Sequence, residues 1–348
     1  MEQKPATSFN NRTSNYAKGG LLVVCLLIVA VFVWIAKPWT PRVAESLESV
    51  TIAASIGYAG TCPISVAVEK GYFASEGILI TLQPHSSGKA SLDATLRGEA
   101  NLATVADVPV MFAAVSGQPV MVVASMFEAE KDYGVVGRRD GGISTAASFK
   151  GKRIGVSLRT AGHFVLASFL NRQKLSAGDV TMVDLKPEQL SAALSEGRID
   201  AAATWEPFLG SLLAQLGANG VFFSGEGLHD SVFTLTGARD YVVTHPETIR
   251  KVLRAVIKGA RFCQDVPDQA IEISATAMQA DPVKLKVAWP TYQFGVTLDQ
   301  SLLLALEDET RWAIKNKLTD RTEPVNYLHH IYLDAMNAVS PTTVTIIH

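Results

Sequence analysis

The chain has 348 residues, 48% of them hydrophobic and 18% charged, enough apolar material for two domain cores and too much for extensive disorder. A formal net charge of −2 without a long basic run gives no electrostatic case for nucleic acid. Cys25 lies in an apolar run; Cys62 and Cys263 could pair but are read as two unrelated reduced thiols, and no Cys/His cluster has metal-ligand spacing.

In chain order, residues 1–18 are polar, with Lys4, Arg12 and Lys18 outweighing Glu2. Residues 19–36 then run without a charge, and 18 helical residues reach about 27 Å, close to the ~30 Å of a bilayer core. Trp34 and Trp39 suit the far interface, and the basic flank belongs on the cytoplasmic side. Ala36-Lys37-Pro38 is a poor cleavage site and Val24-Cys25 a poor lipoprotein site, so 19–36 is read as an uncleaved signal anchor. Residues 37–49 form a tether. Strands are expected at 50–55, 79–83, 102–105, 120–127 and 133–137, with a helix at 64–70 and another before Gly98. A second strand–loop–helix series begins at Lys150-Gly151-Lys152-Arg153-Ile154, with strands at 179–185, 201–204, 221–223 and 232–236. From Pro246 onward helical periodicity dominates, at 248–263, 267–278, 282–288, 298–317 and 325–339.

Two stretches repeat one pattern. Ala94-Thr95-Leu96-Arg97-Gly98-Glu99-Ala100-Asn101 and Ala192-Ala193-Leu194-Ser195-Glu196-Gly197-Arg198-Ile199-Asp200 both end a helix at a glycine, which takes the left-handed conformation without a Cβ clash. Each continues through a turn into a small-residue strand that ends at an acid, Asp107 or Glu206. Short apolar strands after helices suggest buried parallel strands, whose carboxyl ends are where open α/β sheets hold ligands. Two such units imply two lobes facing across a cleft.

Gly71-Tyr72-Phe73 with Glu76-Gly77-Ile78, the two glycine turns, Lys150-Gly151-Lys152-Arg153-Ile154, Trp205-Glu206-Pro207 and His245-Pro246-Glu247 together resemble the nitrate/sulfonate/taurine (NitT/TauT) class of ABC-transporter solute-binding proteins, over roughly residues 50–341. The class includes relatives that make or bind the thiamine pyrimidine and others that serve as sensor domains. Asn101 stands where Asp is more usual, and Arg159 where small residues or Lys are common. The resemblance implies an α/β type II periplasmic binding protein fold: lobe 1 from 50–135 and 233–340, lobe 2 from 136–232, two crossover strands and the solute between the lobes. It further implies an ABC permease as partner and a monomeric globular part in the periplasm, here anchored to the inner membrane through 19–36. No cofactor and no enzymatic activity are expected. The pyrimidine synthase of this fold carries a cysteine-rich motif that is absent here, and no Gly-x-Ser-x-Gly elbow, Walker loop or His-Glu-x-x-His is present.

Ser86-Ser87-Gly88 and Thr160-Ala161-Gly162 lie at expected helix starts, whose unpaired N–H groups and partial positive charge suit an anion. Ordinary N-capping is the alternative. Arg159 either pairs an anion or is a solvated charge. Asp107 and Glu206 either take an amine or ring N–H of the ligand or cap the helices that follow. Tyr58 and Trp205 offer flat walls or cation–π faces. His163, on the first turn of its helix, either touches ligand or is satisfied by neighbours. His85 and His229 carry no better claim.

Overall fold

The computed structural model describes residue 1 and residues 47–347 except 230, with the backbone alone of 231. The expected anchor 19–36 lies outside the described residues, as do its basic flank and most of the tether. Among the described residues no helix is long and apolar enough to cross a membrane.

From its start the chain forms β1 (Glu48–Ala54), α1 (Cys62–Glu69), α2 (Tyr72–Ser75), β2 (Ile78–Pro84), α3 (Gly88–Leu96), β3 (Leu102–Ala106), α4 (Asp107–Val115) and β4 (Val120–Ala129). It crosses to a second sheet through β5 (Tyr133–Arg138), β6 (Arg153–Val156), α5 (Ala161–Arg172), β7 (Thr181–Asp184), α6 (Leu190–Ser195), β8 (Ala201–Trp205), α7 (Phe208–Leu216) and β9 (Gly220–Ser224). It returns in β10 (Ser231–Ala238), followed by α8 (Arg239–Thr244), α9 (Pro246–Asp265), α10 (Pro267–Met278), α11 (Pro282–Ala288), β11 (Tyr292–Thr297), α12 (Gln300–Lys315) and α13 (Leu333–Val339).

The result is a mixed α/β fold with two sheets, ordered β11-β4-β10-β3-β1-β2 and β7-β6-β8-β5-β9. Each contains a parallel trio, β2-β1-β3 or β7-β6-β8, flanked by an antiparallel strand that leads into or out of a crossing, β10 or β5.

The repeated stretches have a shared structural job. Gly98 and Gly197 are left-handed, with φ of 81° and 69°. Asn101 then accepts from the Thr51 N–H at 2.7 Å, and Asp200 from the Arg153 N–H at 2.8 Å. Each side chain thus fixes the start of its strand against the neighbouring parallel strand. Asn suffices where the partner is backbone alone; Asp200 also takes the Arg153 guanidinium at 2.7 Å.

Burial follows strand alternation. In β8, Ala201 and Ala203 join Phe149, Ile154, Leu166 and Phe169 on one face, while Ala202 joins Leu190, Leu194, Leu209 and Leu212 on the other. A strand covered on both sides reads as a continuous run of small apolar residues. The long α9 buries Ile249, Val252, Leu253, Val256, Ala260 and Cys263 along one stripe.

Three expectations need correction. Cys62 and Cys263 are not separate thiols; they form a disulfide between α1 and α9, Cα atoms 6.6 Å apart and 201 residues apart in sequence. A Cβ on Gly259, one turn before Cys263, would come 2.0 Å from the Pro63 carbonyl oxygen, so a bare backbone there lets the two helices meet. Second, Tyr292–Thr297 is an edge strand against β4 within the helical region. Third, the helix expected over 325–339 is interrupted. Tyr327–His330 is a 3₁₀ turn, Ile331 bridges Val122, and only Leu333–Val339 is α-helical.

Candidate functional site

The two sheets present the carboxyl ends of their parallel strands toward one another. From the first sheet comes the turn between β2 and α3, where Ser87 is extended and its side chain accepts from the Ala90 N–H at 3.2 Å. From the second comes the turn between β6 and α5. Here Thr160 does not cap its helix; its hydroxyl donates back to the Ser157 carbonyl at 2.7 Å, leaving the start of α5 without a side-chain cap. The N-capping alternative therefore holds for Ser87 and fails for Thr160.

Both helix starts line one small cavity. Ser87, Gly88 and Lys89 face Thr160 and Ala161, with Ala106, Pro109, Phe233, Tyr133 and Trp205 completing the wall. Two N-terminal helix poles make this space favourable to an anion, while Lys89 at its edge pairs with Asp93 at 2.6 Å. A Cβ on Gly88 would stand 2.9 Å from the Val105 Cα, so only glycine brings α3 this close to β3. The cavity measures about 30 Å³, against roughly 300–1,000 Å³ for a typical ligand pocket. A space of that size admits a water molecule and no organic solute.

Of the expected site residues, Ser87, Gly88, Thr160, Ala161 and Trp205 meet at this cavity, and Ser86 is exposed beside it. The others are placed elsewhere. Tyr58 lies behind Phe233, edge-on to it at 4.8 Å and to Phe127 at 5.5 Å. Arg159, left-handed at φ 60°, holds its guanidinium 5.2 Å from the Phe112 ring. His163 is 5% exposed; its Nδ1 accepts from the Arg159 N–H at 3.3 Å, and burial lowers its pKa to about 4, so it is neutral. Its ring meets Trp312 edge-on at 5.1 Å, as does that of Phe164. Arg159, His163 and Phe164 thus clasp Phe112 of α4 and Trp312 of α12 rather than line the cavity.

Glu206 accepts from the Gly210 N–H at 3.1 Å, and burial raises its pKa. It faces a separate groove of about 470 Å³ shared with Lys284 and Tyr292. Asp107 is fully buried at the first residue of α4. It accepts from the Val108 N–H at 2.8 Å and the Val232 N–H at 3.3 Å and lies 3.3 Å from His229 Nε2. Its carboxylate points away from the cavity that its neighbours Ala106 and Pro109 line, so the expected contact with a cationic ligand end is not met by this geometry.

Sequence reasoning missed Lys89, Phe233 and Tyr133 in the wall and Phe112 and Trp312 in the clasp. It also missed Asp132, buried where the chain first crosses between sheets. Asp132 accepts from the Tyr292 hydroxyl at 3.4 Å and from Tyr58. Burial, aided by nearby Glu206, pushes its pKa up to about 7. No local signal marked it: Asp132 ends the charged run Glu128-Ala129-Glu130-Lys131-Asp132 between two strands, which reads as a solvated turn.

Comparison with known proteins agrees with this architecture. The family model described as NMT1/THI5 like matches residues 59–270, more than half of the chain. A putative aliphatic sulfonates-binding protein of Bacillus subtilis is 24% identical over 266 residues, covering 74% of this chain and 80% of that one. Among solved structures, the alkanesulfonate-binding protein SsuA of Xanthomonas axonopodis pv. citri bound to MOPS superposes with a TM-score of 0.70 at 19% identity, covering 82% of this chain and 98% of its own. The periplasmic nitrate-binding protein NrtA of Synechocystis PCC 6803 gives 0.70 at 12%, covering 85% and 89%. With the two-sheet fold and the facing helix starts, these matches place it: the chain belongs to the NMT1/THI5-like family, among the nitrate-, sulfonate- and taurine-type solute-binding proteins.

Proposed function

We propose that the protein is the solute-binding component of an ABC importer, tethered to the inner membrane by residues 19–36 with its globular part in the periplasm. Its solute is a small organic anion or zwitterion of the sulfonate, taurine or nitrate class, held between the lobes as they close. The observation carrying this reading is the convergence of the α3 and α5 starts, one from each sheet, on a single cavity beside Lys89. An anion spanning both poles favours the closed form over the open one, and the difference in affinity is what a permease reads. The Cys62–Cys263 disulfide fits an oxidising compartment. The named relatives are binding proteins, and binding needs no nucleophile.

The test is a thermal-shift titration with alkanesulfonates, taurine and nitrate on the wild type and two variants of Ser87. Asp and Asn both cap a helix as well as Ser, but Asp adds a negative charge at the cavity. A solute at a hundredfold excess over Kd stabilises by about 2.7 kcal/mol, or about 4 °C for a protein near 300 residues. Ser87→Asn should keep that shift and Ser87→Asp should lose it. Equal shifts in both would remove the anion from the α3 pole, and a response to thiamine pyrimidines alone would redirect the reading to pyrimidine-precursor binding.

A further inference from the structure

Behind the cavity wall three side chains from distant parts of the chain converge. Asp107 begins α4, His229 lies in the return crossing just ahead of β10, and Glu309 projects from α12. One donor atom from each lies within 4.8 Å of the other two. His229 Nε2 is 3.3 Å from Asp107 Oδ1 and 3.9 Å from Glu309 Oε1, and the three side chains are 5%, 0% and 1% exposed. Asp107 has its own backbone donors; Glu309 lies against the Asp107 carboxyl group and takes no hydrogen bond from any other described residue. A carboxyl group sealed from water without a donor is costly, and a native fold resolves that with a proton or a cation.

We propose that Asp107, His229 and Glu309 form a divalent transition-metal site, with zinc the ion of best fit. The donor set selects the metal. Imidazole disfavours calcium and magnesium, which take oxygen ligands, and the absence of thiolate disfavours copper(I). Two carboxylates with a neutral imidazole neutralise a 2+ ion. Zinc bonds of about 2.0–2.1 Å in a tetrahedron separate ligands by about 3.3 Å. The His229–Asp107 distance already has that value, and the His229–Glu309 distance exceeds it by about half an ångström, within reach of a side-chain rotation. The imidazole is oriented from the second lobe, edge-on to Phe164 at 5.1 Å and to Tyr133 at 6.0 Å. An ion here ties the return crossing to α4 and α12, next to the residues that wall the solute cavity. The site does not depend on which solute the cavity takes.

The experiment uses tag-free full-length protein, stripped with a chelator and titrated with cobalt(II) or zinc(II). Metal content after dialysis and the visible cobalt spectrum are the readouts. One equivalent of ion with an intense tetrahedral-type cobalt band is expected. Glu309→Gln and His229→Gln should each weaken binding at least about tenfold, while Glu309→Gln keeps the solute-dependent thermal shift. Absence of both stoichiometric ion and cobalt band in the wild type would overturn the site, and so would undiminished binding in both variants. The wild-type titration decides the matter even if a variant fails to fold.

Discussion

Breaking the Cys62–Cys263 bond should lower the melting temperature measurably while leaving the fold intact. The bond closes a loop of 201 residues. In the chain-entropy description, closing such a loop in the unfolded state removes about 18 cal/mol/K, or about 5 kcal/mol at 25 °C, and measured bridges commonly deliver about 2–4. Unfolding entropy near 2.1 cal/mol/K per residue over roughly 300 residues is about 0.6 kcal/mol/K. The expected loss is therefore about 3–8 °C. The assay is calorimetry of oxidised protein, reduced protein and the Cys62→Ser/Cys263→Ser double variant, with thiols counted in denaturant. The sequence holds three cysteines, so one thiol should react before reduction and three after it. Reduced and double-variant proteins should melt alike. Three reactive thiols in protein never exposed to reductant, or melting unmoved by reduction, would refute the reasoning.

Gly88→Ala must push a methyl group toward the Val105 Cα, 2.9 Å from its ideal position. About 1–3 kcal/mol of stability should be lost, read by urea denaturation, together with sulfonate affinity. Trp312→Ala removes edge-on contacts to His163 and Phe164 at 5.1 Å and to Phe112 at 5.9 Å, each worth about 0.5–1.5 kcal/mol. Small-angle scattering should show a larger radius for the free protein, and an unchanged radius would argue against an interlobe clasp. Asp132 has a folded-state pKa of about 7 against an ordinary 3.8, so the folded state retains its proton while the unfolded state loses it. Its contribution is fully present below about pH 4 and lost progressively up to about pH 7, by about 4 kcal/mol in total. Asp132→Asn should flatten that part of the stability–pH curve, and parallel curves for variant and wild type would contradict the assignment.

The sequence exposes what is local. The glycine turns at Gly98 and Gly197 and the strand-to-helix turns at Ser87 and Thr160 carry their conformation within a few residues, so both helix poles of the cavity are legible from neighbouring residues alone. Asp107 shows the limit. Its position at a strand end is legible, but its direction depends on His229, 122 residues away, and on α12 farther along still. The cysteine pair fails for the same reason, since spacing alone says nothing of two helices meeting at Gly259 and Pro63. Tyr292–Thr297 does alternate, with Tyr292, Phe294 and Val296 on one face, but six residues amid amphipathic helices are too few to stand out from the helical pattern around them.

The strand order carries a consequence for assembly. The second sheet is contiguous, drawn wholly from β5 to β9, and can be completed as soon as residue 224 is available. The first cannot. β10 separates β3 from β4 and β11, so the early strands have an open seam until the later part of the chain arrives to fill it. In a chain made from its amino end, the half that begins first is finished last, and Cys62 must wait through about 200 residues of synthesis before its partner exists.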